Sequence, residues 1–186
     1  MVFSGPSGVG KTTIARRVEK RLHGVFSVSV TTRPKTPADV EGRDYHFITE
    51  EQFKQKRDAG ELLEWAEVFG KYQYGTLRQP VERHLAAGDL MILEIDVQGG
   101  LQIRQKMPEA FMIFVLPPSD EELLKRLRQR GREDEAAIQR RFAEAKKEIE
   151  TARASGKYDV FLENDHLEKV VEKACELIRQ RRDRKA

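Results

Sequence analysis

Gly5-Pro6-Ser7-Gly8-Val9-Gly10-Lys11-Thr12 has the form G-x-x-x-x-G-K-[ST]. Glycines at its ends let the backbone wrap a phosphate chain without Cβ clashes, and the amide N–H groups then turn inward as an anion nest. Lys11 is placed to reach the β- and γ-phosphates of a nucleoside triphosphate, and the Thr12 hydroxyl to ligate Mg2+. Composition alone yields such a motif in about one chain in a hundred of this length, so its flanks decide the reading. Before it, residues 1–4 are a short apolar run suited to a strand. After it, Ile14, Val18 and Leu22 fall at i, i+4 and i+8 on one helical face. Strand, loop and helix in that order aim a helix N-terminus at phosphate. Gly5, Pro6, Ser7, Gly8, Val9, Gly10, Lys11, Thr12 and the adjoining Thr13 are therefore the candidate triphosphate-binding residues.

Further out, apolar runs of strand length recur at 26–31, 62–69, 90–95, 111–116 and 160–162. Two of them, LMILEI and FMIFVL, are nearly continuous, as strands covered on both faces of a parallel sheet require. Helical patterns occupy 50–59, 79–87, 101–106, 120–130, 135–153 and 167–182. Ser119 followed by Glu122 marks a capping box at a helix start. The alternation predicts an α/β fold: a P-loop NTPase-type three-layer sandwich with a mostly parallel sheet. The stretch from Thr32 to Phe69, with Pro34, Pro37 and Gly42, breaks the alternation and reads as a small mixed α/β insertion.

The 186 residues fit one domain with an inserted subdomain. Lys and Arg total 34 against 31 Asp and Glu, a net charge of +3. That near balance speaks against a dedicated nucleic-acid binder, for which a one-sided basic field is expected. The basic tail at 179–185 is explained by a helix end that favours cations and a frayed terminus. The lone Cys175 excludes an internal disulfide, fits a reducing cytoplasm and falls in an amphipathic pattern as a small buried residue. No apolar stretch reaches the roughly 18 residues of a membrane span, and no signal-peptide layout precedes the loop.

Other segments align with one family. Ser29-Val30-Thr31-Thr32-Arg33-Pro34, Gly42-Arg43-Asp44-Tyr45, Glu64-Trp65-Ala66-Glu67 and Tyr74-Gly75-Thr76 resemble the monophosphate-binding part of guanylate kinases. Glu94-Ile95-Asp96-Val97-Gln98-Gly99 resembles their D-I-D-x-Q-G strand end. Pro117-Pro118-Ser119, Arg126-Leu127, Arg130-Gly131, Arg141 and Asn164-Asp165-x-Leu167 resemble the rest, so the likeness runs in order over about residues 1 to 180. It implies the reaction ATP + GMP (or dGMP) giving ADP + GDP (or dGDP), with Mg2+; a cytoplasmic monomer or weak homo-oligomer is expected. It also implies a core (1–31, 77–130 and 142–186), a GMP-binding subdomain (32–76) and a helical lid (131–141). Arg130 and Arg141 would be the lid arginines acting with Lys11 and Arg33 in catalysis. Arg126 and Asn164 would lie on the ATP side.

The chemistry of the acceptor half can be argued beside that resemblance. Arg33 can grip a phosphate with two parallel N–H donors, which Lys cannot copy. Tyr45 and Tyr74 can each add a neutral O–H donor. Guanine presents N1–H and N2–H2 along one edge and calls for a carboxylate. Glu64 is the candidate, supplemented by Ser29 and Thr76, with Asp96 accepting from the exocyclic amine. Adenine would leave that carboxylate unpaired, a discrimination of about 10⁴ or more. Glu94 stands at the end of a buried strand near the loop, where it can act on Mg2+ through a water. No general base is needed, because the attacking phosphate oxygen is already ionised. Catalysis then reduces to positioning two anions in line and neutralising their charge.

Three positions depart from the family pattern. A second phosphate arginine is expected where Thr36 stands, with Lys35 beside it. The first acid of D-I-D is Glu94, one methylene longer. The loop at 70–75 looks one residue longer than usual, which leaves Tyr72 and Tyr74 as alternatives for the phosphate contact; Tyr74 directly precedes Gly75-Thr76. Two other functions compete. One is a related kinase of another phosphorylated acceptor. The other is a non-catalytic phosphopeptide-binding domain, but such domains typically lose the loop lysine and the lid arginines present here.

Overall fold

The computed structural model describes residues 1–68, 70–129 and 134–184. Its central strand is β1 (Val2–Ser4), which ends where Gly5 begins the loop and α1 (Lys11–Leu22). Gly5 has φ +145°, and a Cβ there would come within 2.5 Å of the Val115 carbonyl oxygen, so only glycine lets the chain leave the sheet so tightly. Beside β1 lie β7 (Met91–Glu94) and β8 (Met112–Leu116), with β2 (Val25–Phe26) and β9 (Val160–Glu163) outermost, all parallel.

The apolar strands divide their side chains between two faces. Phe3, Ile92, Ile113 and Val115 pack with Ile14 and Val18 of α1, Leu123 and Leu127 of α5 (Asp120–Gln129), and Val171, Ala174 and Ile178 of α7 (Leu167–Asp183). Val2, Met91, Leu93, Met112 and Phe114 face the other way, against Val81 of α3 (Arg78–Ala86) and Val97 and Ile103 of α4 (Val97–Lys106). Each such side chain, fully buried, is worth about 1.5–3 kcal/mol relative to exposure. The long α6 (Glu135–Ser155) contributes Ile138 and Ala145 to the first cluster and Ala152 to the second. Helix, sheet and helix layers result, as expected. Cys175 is buried on α7, and burial pushes its thiol pKa up.

The insertion is a four-stranded mixed sheet in the order β4-β3-β6-β5: β4 (His46–Phe47), β3 (Val30–Thr31), β6 (Tyr72–Leu77) and β5 (Leu62–Val68). Phe53 of α2 (Glu50–Asp58) packs with Val30 and Leu62 to form its own small core. A complete capping box of Thr49 and Gln52 starts α2.

Several boundaries differ from the sequence reading. The run at 26–31 is two strands in two sheets: the Ser27 amide still bonds to the Ile92 carbonyl, but Val30 and Thr31 pair with β6. The small sheet thus draws on residues 30–31 and on Leu77, just outside 32–76. β6 was not anticipated, because Gly75 interrupts its alternation; side chains of Leu62 and Phe53 occupy the space a Cβ would need there. α4 begins at Val97 rather than 101, since Gly99-Gly100 reads as a breaker but packs inside the helix. At Ser119 only half a capping box forms: its hydroxyl accepts from the Glu122 amide at 3.2 Å, while the Glu122 carboxylate takes Arg126 and Lys125. Among the described residues no helix is long and apolar enough to cross a membrane.

Candidate active site

The phosphate loop, the acids at and just after the end of β7 and the end of β9 all lie at the C-terminal edge of the parallel sheet, the edge at which such folds bind ligands. The Lys11 ammonium donates to the carbonyls of Gly5 and Pro6 at 2.6 and 3.0 Å, so it is held across its own loop. From behind, Asn164 donates to the Val9 carbonyl at 2.7 Å and is only 6% exposed. Arg126 bridges Glu122 and the Asn164 carbonyl, each at 3.0 Å, which ties α5 to the same support. Arg141 of α6 donates to the Ser7 hydroxyl at 3.1 Å, joining that helix to the loop. Arg130 and residues 131–133 of the expected lid lie outside the described residues. The rest of that segment, from 135 onward, is the start of the continuous α6, capped by Asp134.

Thr12 and Glu94 meet directly: the hydroxyl donates to the carboxylate at 2.8 Å. Exposed Thr13 follows on α1. A hydroxyl and a carboxylate on one spot fit a hard, water-keeping cation such as Mg2+. No group of three or more His, Cys, Asp or Glu gathers among the described residues, so protein ligands alone do not form a metal cage there.

Asp96 caps α4, accepting from the Gly99 amide at 2.7 Å. Burial raises its pKa, while the Gly99 bond and the Lys11 charge oppose the rise. Glu64 lies beside it, 4% exposed, and accepts from the Thr76 hydroxyl at 2.6 Å. Burial pushes Glu64 up to about 7 against the Thr76 bond, and the Asp96 charge adds to the push. Gly99 makes this packing possible, since a Cβ there would stand 2.3 Å from Glu64 Oε2. The same helix face holds the backbone of β5. Gln102 donates to the Trp65 carbonyl at 2.6 Å and accepts from its amide at 3.2 Å, and Lys106 donates to the Leu63 carbonyl at 2.5 Å.

The Arg33 guanidinium engages both oxygens of Asp39, at 2.9 and 3.0 Å, and the Pro34 carbonyl at 3.0 Å. Its carbon lies 5.4 and 5.3 Å from the ring centroids of Tyr45 and Phe47. The Tyr45 and Tyr74 rings meet edge to face at 5.6 Å, and both phenols act electrostatically on Arg33. Burial pushes the Tyr45 phenol up to about 12, which keeps it a neutral donor. Tyr74, not Tyr72, therefore stands with Arg33; Tyr72 sits near the β5–β6 turn under Lys71. Thr36 donates to Asp39 from its amide at 2.7 Å and its hydroxyl at 2.6 Å, and Lys35 is exposed. Arg33 and Thr36 together hold the Asp39 carboxyl far below the usual carboxylate range. Ser29 occupies the crossing from one sheet to the other, where its carbonyl accepts from the His46 amide.

Sequence reasoning missed Asp39, Gln102 and Glu148. An acid in a Pro-rich loop reads as solvated, and a glutamine on a helix carries no signal. Glu148 had one: it lies seven residues after Arg141, on the same face of α6. Burial pushes it up to about 7, while the Lys11 charge opposes the rise.

A family model described as guanylate kinase matches residues 1–181. A guanylate kinase of Thermosynechococcus vestitus is 51% identical over 170 residues, 91% of this chain and 87% of that protein. The guanylate kinase of Thermotoga maritima is 45% identical over 182 residues, 97% of this chain and 86% of that protein. The crystal structure of guanylate kinase from Anaplasma phagocytophilum superimposes with a TM-score of 0.78 at 33% identity, over 96% of this chain and 83% of that one.

Proposed function

Since this chain belongs to the guanylate kinase family, we propose how its own residues divide the phosphorylation of GMP by ATP. The observation that carries the proposal is the place of Asp96: it accepts from the amide of Gly99, the residue packed against buried Glu64, while the Lys11 charge opposes the rise that burial gives its pKa. One acid thus joins a guanine-reading pocket to a phosphate loop.

On the donor side, the backbone amides of residues 5–13 and the Lys11 ammonium bind the ATP phosphates, and Lys11 neutralises charge on the transferring group. Mg2+ would be held by Thr12 with Glu94 acting through a water, and when bound would supply further charge neutralisation to the phosphates. Asn164 and Arg126 act on the ATP side mainly by supporting the loop, as their bonds to Val9 and Asn164 suggest. On the acceptor side, Glu64 accepts from guanine N1–H and N2–H2, Ser29 and Thr76 add polar contacts, and Asp96 takes the exocyclic amine. Arg33, Tyr45 and Tyr74 hold the phosphate of GMP or dGMP. Its ionised oxygen attacks the γ-phosphorus of ATP in line as the bond to the β-phosphate oxygen breaks and ADP leaves, and Arg141, with Arg130 by resemblance, compensates charge from the lid and limits access of water. The acceptor subdomain in this reading is the unit built on the mixed sheet, residues 30–77.

A coupled ADP-release assay with ATP and Mg2+ across GMP, dGMP, AMP, CMP and UMP tests this. Turnover is expected with GMP and dGMP only. Equal use of AMP would overturn the role given to Glu64.

A further inference from the structure

A guanidinium has five N–H donors, arranged as an end-on fork across its two terminal nitrogens and a side-on fork across Nε and one of them. In this chain the end-on fork of Arg33 is filled by Asp39, with Nη1 on Oδ2 at 3.0 Å and Nη2 on Oδ1 at 2.9 Å. The second Nη1 proton points to the Pro34 carbonyl at 3.0 Å. What remains for a ligand is the side-on edge, Nε–H with the second Nη2–H. Asp39 is in turn fixed by Thr36, whose amide and hydroxyl both donate to Oδ2 at 2.7 and 2.6 Å. The guanidinium lies near the Tyr45 and Phe47 rings, and the pair is largely withdrawn from water, at 22% and 15% exposure.

We propose that Asp39, anchored by Thr36, is a positioning residue for phosphoryl acceptance: it turns Arg33 so that its Nε/Nη2 edge faces the acceptor phosphate. The inference rests on the reading of Arg33 as the phosphate ligand. It gives Thr36 a task of its own at the position where a second arginine was expected. Asp39 also offsets the Arg33 charge. The phosphate is therefore held by directed donors, one guanidinium edge and two phenols, more than by net positive field. A flexible arginine would be ordered only when GMP binds, and ordering such a side chain weakens binding by up to about tenfold.

Initial rates with ATP and Mg2+ on Asp39→Ala, Thr36→Val, Thr36→Ser and Arg33→Lys test the inference. Asp39→Ala is expected to raise KM for GMP about tenfold, and Thr36→Val about threefold, with KM for ATP changed by less than about twofold. Thr36→Ser, which keeps the hydroxyl, restores the parent value. An Asp39→Ala enzyme with an unchanged or lowered GMP KM would show that the carboxylate merely competes with phosphate, and would overturn the proposal. Equal KM values for Thr36→Val and Thr36→Ser would remove the anchor role of Thr36. If Arg33→Lys raises KM and Asp39→Ala does not, only this inference fails; if Arg33→Lys is also silent, the reading of Arg33 fails. Should Asp39→Ala not fold, Asp39→Asn keeps the shape but sets an amide against the guanidinium, and the same rise is expected.

Discussion

Glu64, the proposed guanine acceptor, is a group that costs the fold stability. The carboxyl is buried beside Asp96, and burial pushes its pKa up to about 7. Unfolded, it would ionise at the ordinary glutamate value of 4.5. Stability from this group is therefore complete below about pH 4.5, declines as pH rises, and levels off once pH passes about 7. Glu64→Gln removes the ionisation. We expect the variant to resist urea better than the parent at pH 8, by up to about 3 kcal/mol, and to match it near pH 4.5. It should also lose GMP turnover by at least about 10²-fold. A variant less stable than the parent at both pH values would show that the buried charge is not costly. Glu64 was legible in the sequence only together with the family-like segments at 29–34 and 74–76, since the same apolar run also holds Glu67. Asp39 was not, because nothing local distinguishes a clamp from a solvated acid.

At the scale of elements, α4 shows how a local rule can be reversed by its surroundings. Replacing a helical glycine by alanine ordinarily stabilises by about 1 kcal/mol. At Gly99 the new Cβ would meet Glu64 Oε2 at 2.3 Å and its Cδ at 3.0 Å. Gly99→Ala is thus expected to displace the Glu64 carboxyl and raise KM for GMP at least about tenfold, while KM for ATP stays near the parent value. Normal GMP kinetics in this variant would mean that Glu64 has room to move without cost. The same glycines explain why the helix was expected to start late: propensity marks them as breakers, and only the approach of Glu64 and Tyr158 accounts for their place inside it. The two apolar strands LMILEI and FMIFVL were readable because burial on both faces leaves a continuous run. β6 was not readable, since what fixes it is packing against Phe53 and pairing with β5.

Across the whole molecule, the site is assembled from residues far apart in sequence, such as Asn164 and Val9, 155 positions apart. Periodicity carries no information about such pairs; the sheet order does, and it is set by packing. One long-range tie is Arg104 of α4. It donates to the Lys157 carbonyl at 2.9 Å, the Pro108 carbonyl at 2.7 Å and Asp159 Oδ2 at 2.6 Å, and that same oxygen accepts from the Met112 amide. Arg104→Ala should lower unfolding free energy by about 2 kcal/mol, because it leaves carbonyls and a carboxylate short of donors. A fall in Tm of several degrees in a calorimetric scan, with kcat at 25 °C retained, is the expected result. An unchanged Tm would mean that water replaces the guanidinium without loss.

The grip of α4 on β5 has a consequence beyond aiming Glu64. β5 is one of the two outer strands of the mixed sheet, and a bare outer strand is a template on which another chain can add. Here the Gln102 side-chain amide bonds both the N–H and the C=O of Trp65, imitating one rung of a neighbouring strand, and Lys106 occupies the Leu63 carbonyl. The helix thereby closes this edge of the sheet to edge-to-edge association, and the strand that carries Glu64 is also shielded from aggregation.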